Sequence, residues 1–136
     1  MPMLLNIVTP EKTVFSDEVD NVLLPGEEGE IGVLPMHAGL VTALKPGELR
    51  YHHNGRIVTL AVGSGYAEVT QEKVVVLTDM ALDEGEIDEA SMEKAIQRAK
   101  EKLTTMDHDM NAEEVAFLQG IVTKSTAAIN FKRKYR

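Results

Sequence analysis

FSDEVDNVLLPGEEGEIGVLPMHAGLVTALKPGELR, running from Phe15 to Arg50, is the stretch that decides the fold. A polar run ends in Leu23-Leu24, and Pro25-Gly26 and an acidic turn follow. The short apolar run Ile31 to Leu34 leads into the loop Pro35 to Gly39, and the apolar run Leu40 to Leu44 ends at Lys45-Pro46-Gly47. Pro and Gly falling between apolar runs of four to six residues punctuate β-strands.

The same punctuation continues on both sides. Upstream, Leu4 to Thr9 reads as a strand closed by Pro10. Lys12 to Leu24 reads as one longer strand region whose apolar residues change phase, from Phe15 and Val19 at odd positions to Val22 and Leu24 at even ones. A phase change in a period-two pattern predicts a bulge or a strand end buried on both faces. Downstream, Glu48 to His53 and Arg56 to Val62 flank Asn54-Gly55, a strong hairpin signal because both turn residues must take positive φ. Tyr66 to Thr70 alternates with Ala67 and Val69 on one face. The run Val74 to Leu77 is expected to be buried on both faces or to line a barrel interior. Eight or more short strands at this spacing predict an antiparallel β-sandwich or flattened barrel.

At about residue 86 the pattern changes. Asp79 to Glu86 reads as a polar linker; beyond it there is no Pro, and no Gly until Gly120. Asp88 is placed to cap a helix, with Glu89 in its first turn. Met92, Ala95, Ile96, Ala99 and Leu103 mark one helical face. Met106 to Met110 reads as a polar hinge. Asn111 caps a second helix with Glu114 three residues on, and Val115, Leu118, Val122, Ser125 and Ile129 mark its apolar face. The expectation is a β + α chain in two parts, a β-sandwich over 1–86 and an antiparallel two-helix hairpin over 87–136. The hairpin seam, with Ala95, Ala99, Ala116, Ser125 and Ala128, is lean in apolar bulk. Helices held that weakly can exchange partners at small cost, and a plain two-helix cap on the sandwich fits the same residues.

Composition narrows the function. Among 136 residues there is no Cys, so thiol catalysis, disulfides and Cys-based zinc sites are excluded. No apolar run approaches the roughly 20 residues that span a bilayer. The opening MPMLLNIVTPEK lacks a basic start and a long apolar segment, so no secretory or transit signal is expected. Net charge is −8 and unevenly spread: residues 1–86 hold 5 basic and 14 acidic residues, whereas residues 111–136 hold 5 and 2. An acidic body repels phosphates, so nucleic-acid binding is not expected. The basic end suits either an acidic protein partner or its own helix C-terminus. Gly26 to Gly32 lacks the Gly-Lys-Ser/Thr of a phosphate loop. Glu27, Glu28 and Glu30 read as solvated turn acids. His52 and His53 point to opposite strand faces, and His37 and His108 have no sequence-near partner. No metal site, cofactor or catalytic group is expected.

From Gly29 to Gly47 the chain reads GEIGVLPMHAGLVTALKPG. This resembles the GExGxLPxHAPLxTALxPG-like pattern of the epsilon subunits of F-type ATP synthases, with Gly39 where that family usually has Pro. Ile87-Asp88-Glu89-Ala90 is also similar to the family, and the likeness of organisation covers the whole chain. The resemblance implies a non-catalytic central-stalk subunit of a bacterial-type, proton-translocating complex. Its partners would be the gamma subunit, the membrane c-ring and the alpha/beta catalytic head. It would lie peripherally, on the cytoplasmic side of the cell's inner membrane, held there through the complex only. It implies that Glu30, His37 and Ala38 lie near gamma and the ring. It further implies that the hairpin swings out to oppose ATP hydrolysis, with Lys124, Lys132, Arg133 and Lys134 facing an acidic segment of the catalytic subunit. Some epsilon subunits bind ATP through an Ile/Leu-Asp-x-x-Arg-Ala motif. Here Ile87 and Asp88 match, Ser91 and Met92 replace Arg and Ala, and Arg98 lies further along the helix, so only a weak nucleotide site is implied. Read without the resemblance, a free-standing adaptor or a small-molecule-binding β-barrel with a helical lid fits the same residues.

Overall fold

The computed structural model describes residues 2–105 and 111–136. The expected hinge at 106–110, with His108, lies outside the described residues. Ten strands come first: β1 (Met3–Val8), β2 (Thr13–Val19), β3 (Asn21–Gly26), β4 (Gly29–Val33), β5 (Leu40–Leu44), β6 (Gly47–His53), β7 (Arg56–Val62), β8 (Gly65–Val69), β9 (Lys73–Thr78) and β10 (Ala81–Leu82). A 3₁₀ turn, Glu84–Glu86, leads to α1 (Glu89–Thr104) and α2 (Ala112–Tyr135).

Hydrogen bonding runs β10-β7-β6-β3-β5-β8-β9-β1-β2, with β4 on β3. The β3–β5 link is a single register pair, Gly26 with Leu44, so the path folds there into two facing layers. One layer is β4-β3-β6-β7-β10 and the other is β5-β8-β9-β1-β2. Met3, Leu5, Ile7, Val22, Leu24, Leu49, Val62, Val74 and Val76 fill the space between them. All these side chains sit at alternate strand positions, which is how a pleated strand buries one face. The second side of the sandwich is closed by side chains. The Phe15 and Tyr51 rings lie 4.5 Å apart, and His53 Nδ1 donates to the carbonyl of Glu18 at 2.9 Å.

The β-sandwich followed by two helices is as expected, and the differences are local. Within Lys12 to Leu24 the register slips at Val14, which is skipped between the Phe15–Ile7 and Thr13–Val8 pairs, and the end of β3 is buried at Leu24, Pro25 and Gly26 in succession, as expected; the change of phase itself falls at a corner. Asp20 separates β2 from β3, its N–H bonds the carbonyl of His52, and the two strands belong to different layers. Pro25-Gly26 continues β3; the turn is the Glu27-Glu28 pair, bracketed by the Gly26–Gly29 register pair. Val74 to Leu77 is not buried on both faces: Val74 and Val76 point inward while Leu77 is exposed, because among the described residues no element is packed over it. β1 and β9 are parallel, the one exception to antiparallel pairing among the described strands. Asp79 to Glu86 is more than a polar linker, since it contains β10 and a 3₁₀ turn capped reciprocally by Asp83 and Glu86.

Both expected helix caps are present. The Asp88 carboxylate accepts from the Ser91 N–H at 3.3 Å, and the Asn111 side chain accepts from the Glu114 N–H at 2.8 Å. The two helices pack along each other, and α2 also lies against β6 and β7. Ala99, Leu118, Ser125 and Ile129 are buried, but Ala116 is exposed and does not join the seam. α2 has two buried faces instead of one. Ala128, expected in the hairpin seam, packs instead with Phe131 against Ala61 of β7, Met80 and Ile87, because the sheet claims a second face of the helix.

Candidate functional site

The basic end of α2 meets the acidic body along a row of ion pairs. Lys124 Nζ lies 3.7 Å from Asp79, and Lys132 Nζ lies 3.3 Å from Glu84. Arg133 Nε lies 2.6 Å from Glu89 and its Nη2 lies 3.2 Å from Glu93. Lys134 Nζ lies 2.9 Å from Glu48, and Arg136 Nη1 lies 2.8 Å from Glu89. Every Lys and Arg of residues 111–136 is thus paired with an acid from another element. The acids come from the segment after β9, the 3₁₀ turn, the start of α1, and β6. Their placement follows from the sandwich presenting its β6–β7 face to the helix.

Glu48 is the most heavily engaged of these carboxylates. It accepts from Arg50 Nη2 and Lys134 Nζ at 2.9 Å each, and from the Tyr135 hydroxyl. Its partial burial pushes its carboxyl up, but the three hydrogen bonds together outweigh that and hold it below the usual carboxylate value. The hydrogen bond from Arg133 lowers Glu89 likewise, against a smaller opposing effect of burial and with help from Arg136. Charge arithmetic on the sequence signalled that the two regions attract. It had no means of naming Glu48, Glu89, Glu93, Tyr135 or Arg136 as contacts, since partners up to 87 residues apart leave no local pattern.

A second surface lies on the opposite layer. Tyr66 of β8 is in register with Leu77 of β9 and with Ala43 of β5. Val41 is 70% exposed, Tyr66 61% and Leu77 53%, so apolar side chains line the solvent face of three adjacent strands. At its edge, β4 and β5 diverge around a crevice of about 440 Å³ lined by Glu27, Glu28, Glu30, Ile31, Val41 and Ala43 among others. Glu30 is exposed near the start of β4. His37 and Ala38 lie past its other end, in the loop where Met36 takes φ 67°, and His37 Nδ1 donates to the Ala38 carbonyl at 2.6 Å. Roughly 13 Å of strand separates Glu30 from that loop. They lie at opposite ends of β4 and are not drawn together.

Ile87, Asp88 and Arg98 are not drawn together. Ile87 is buried in the apolar cluster under α2. The Asp88 carboxylate is taken up by the cap, with the Ser91 hydroxyl donating at 2.8 Å as well as the Ser91 N–H, and these bonds hold its carboxyl below the usual range. Arg98 is exposed on α1, about 15 Å along the axis from Asp88. Among the described residues there is no group of three or more His, Asp or Glu arranged to hold a metal ion, and no helix long and apolar enough to cross a membrane.

Residues 2–84 match the family model described as "ATP synthase, Delta/Epsilon chain, beta-sandwich domain". The chain is 44% identical over 119 residues to an ATP synthase epsilon chain of Desulforamulus reducens, covering 86% of this chain and 90% of that one. It is 38% identical over 136 residues to an ATP synthase epsilon chain of Herpetosiphon aurantiacus, covering 98% of this chain and 100% of that one. Among solved structures, it is similar to a chain in the Euglena gracilis mitochondrial ATP synthase. The TM-score there is 0.72 and the identity 22%, over 93% of this chain and 78% of that one. A chain in the central stalk and c-ring structure of Tetrahymena thermophila mitochondrial ATP synthase gives a TM-score of 0.60 at 10% identity, over 98% of this chain and 96% of that one. At these identities the two structures bear on the fold alone.

Proposed function

The chain belongs to the family of ATP synthase delta/epsilon chains, and on that premise we propose that it is a rotor subunit of a membrane-bound F-type ATP synthase, one that couples rotation to ATP synthesis without catalysing it and restrains ATP hydrolysis through its helices. The β body, residues 1–86, docks on the gamma subunit and the c-ring; residues 87–136 form the regulatory unit. The exposed row of Val41, Tyr66 and Leu77 supplies the apolar docking face that such a subunit needs. Glu30, His37 and Ala38 face gamma and the ring. When α2 leaves the body, Lys124, Lys132, Arg133 and Lys134 face an acidic segment of the alpha/beta head. The subunit sits on the cytoplasmic side of the cell membrane, held there by its partners. The ion driving the ring is taken to be the proton.

The observation that carries this reading is the row of ion pairs under α2. Each pair is at least partly open to solvent, and such pairs contribute little individually because water and salt compete for both partners. A helix held that way exchanges one acidic surface for another at small net change, which is what a reversible brake requires.

The test is reconstitution into a complex depleted of this subunit. Replacing Lys132, Arg133 and Lys134 together by Ala is expected to weaken inhibition of hydrolysis while gamma binding and synthesis stay near the parent level. Raised salt should mimic the change in part. Equal inhibition by parent and variant across a salt series would overturn the electrostatic brake.

A further inference from the structure

We propose that Glu48 of β6 is the catch that sets how readily α2 leaves its packed position, with Glu89 of α1 as its counterpart across the helix. The inference deepens the function proposed above and rests on it.

The last residues of α2 divide between two carboxylates. Lys134 and Tyr135 turn toward β6, and both donate to Glu48. Arg133 and Arg136 turn toward α1, where Arg133 Nε donates to one oxygen of Glu89 at 2.6 Å and Arg136 Nη1 to the other at 2.8 Å. Four consecutive residues, 133–136, are therefore gripped from both sides. The Tyr135 ring lies 4.8 Å from that of Phe131, which belongs to the buried cluster with Ala61 and Ala128. Hold on the last turn is thus transmitted to the apolar contact that seats the helix.

Glu48 differs from the other acids in one respect. It sits on a strand of the body and is held there by Arg50, its neighbour two residues on, at 2.9 Å. That bond does not involve α2, so the carboxylate stays aimed and neutralised when the helix is away. Release then leaves Glu48 paired with Arg50, and return meets a carboxylate already in place. A pair so arranged lowers the cost of both steps. Glu48 also acts in one state only. The cations of α2 serve the packed helix and, in the proposed function, the extended one; removing Glu48 takes a contact from the packed state alone.

The experiment is hydrogen exchange on the full chain. Glu48→Gln keeps the shape and removes the charge. It is expected to speed exchange of the amides in the last two turns of α2 by about tenfold, the scale of losing a hydrogen bond to a charged group, while the amides of β9 stay as in the parent. Glu93→Gln, which removes a single exposed contact to Arg133, is expected to leave both sets nearly unchanged. Parent-like exchange in Glu48→Gln, or equal acceleration in β9, would overturn the catch. In the reconstituted complex Glu48→Gln should deepen inhibition of hydrolysis. If the helix loosens in the isolated chain but inhibition stays at the parent level, the catch stands and the braking function fails.

Discussion

Ala61 of β7 and Ala128 of α2 belong to one apolar cluster, and neither has any exposed surface. Two side chains of one carbon each let the helix lie close against the sheet, so that Phe131 and Met80 close over the contact. Ala128→Leu forces three carbons into that space. Overpacking of this kind costs about 1–3 kcal/mol, and here it falls on the seat of α2. The expected outcome is faster hydrogen exchange throughout α2 with the strands unaffected. Unchanged protection of the helix would mean that α2 is not seated on Ala61.

At the β6–β7 turn Asn54 takes φ 51° and Gly55 φ 74°, the pair of left-handed conformations that a two-residue hairpin demands. A β-branched residue resists that region. Gly55→Val should lower stability by about 1 kcal/mol or more, read as a drop in melting temperature. An unshifted melting curve would show that the turn is free to take another form.

The Asp88 carboxylate is already engaged by Ser91, and Ile87 is buried beneath α2, so an ATP molecule would find neither group free. Calorimetry on the unmodified chain is expected to detect no binding at millimolar ATP or below. Ser91→Arg removes the hydroxyl that engages Asp88 and adds a cation at the position where ATP-binding epsilon subunits carry one. That variant should gain affinity. Micromolar binding by the parent chain would refute the occupied-cap argument.

Glu48 and Glu89 both have carboxyl values lowered in the folded chain. A lowered carboxyl pKa stabilises the fold fully above the unfolded-chain value, about 4.3 for Glu. The contribution is lost as pH falls through the folded value. Stability of the packed helix should therefore be flat from pH 7 down to about 5 and fall below that. Hydrogen exchange of the last turns of α2 along an acid series would reveal it. Replacing both glutamates by Gln should flatten the profile; an acid profile unaltered in that double variant would assign the effect to other groups.

Much of this molecule is written locally. The Pro and Gly that interrupt each apolar run, the Asn54-Gly55 turn, the Asp88 and Asn111 caps, and the spacing from Met92 to Leu103 each act within a few residues. Such signals survive without the rest of the fold, because backbone conformation and helix periodicity are properties of short segments. The uneven charge is also plain in the sequence, and it carries the attraction between α2 and the body. What the tertiary structure alone decided are the matters that depend on distant segments meeting. A phase change at Asp20 fits a bulge as well as a corner until the two layers exist. Ala116 and Ala128 look equally fit for the seam until the sheet takes Ala128 into a second face of α2 and leaves Ala116 exposed. The acids meeting Lys134, Arg133 and Arg136 follow from which strand lies beneath the helix end. Charge attraction is long-ranged and non-directional, so the sequence carries its sign, whereas the pairing of Lys134 with Glu48, 86 residues away, is set only when β6 and α2 are packed together.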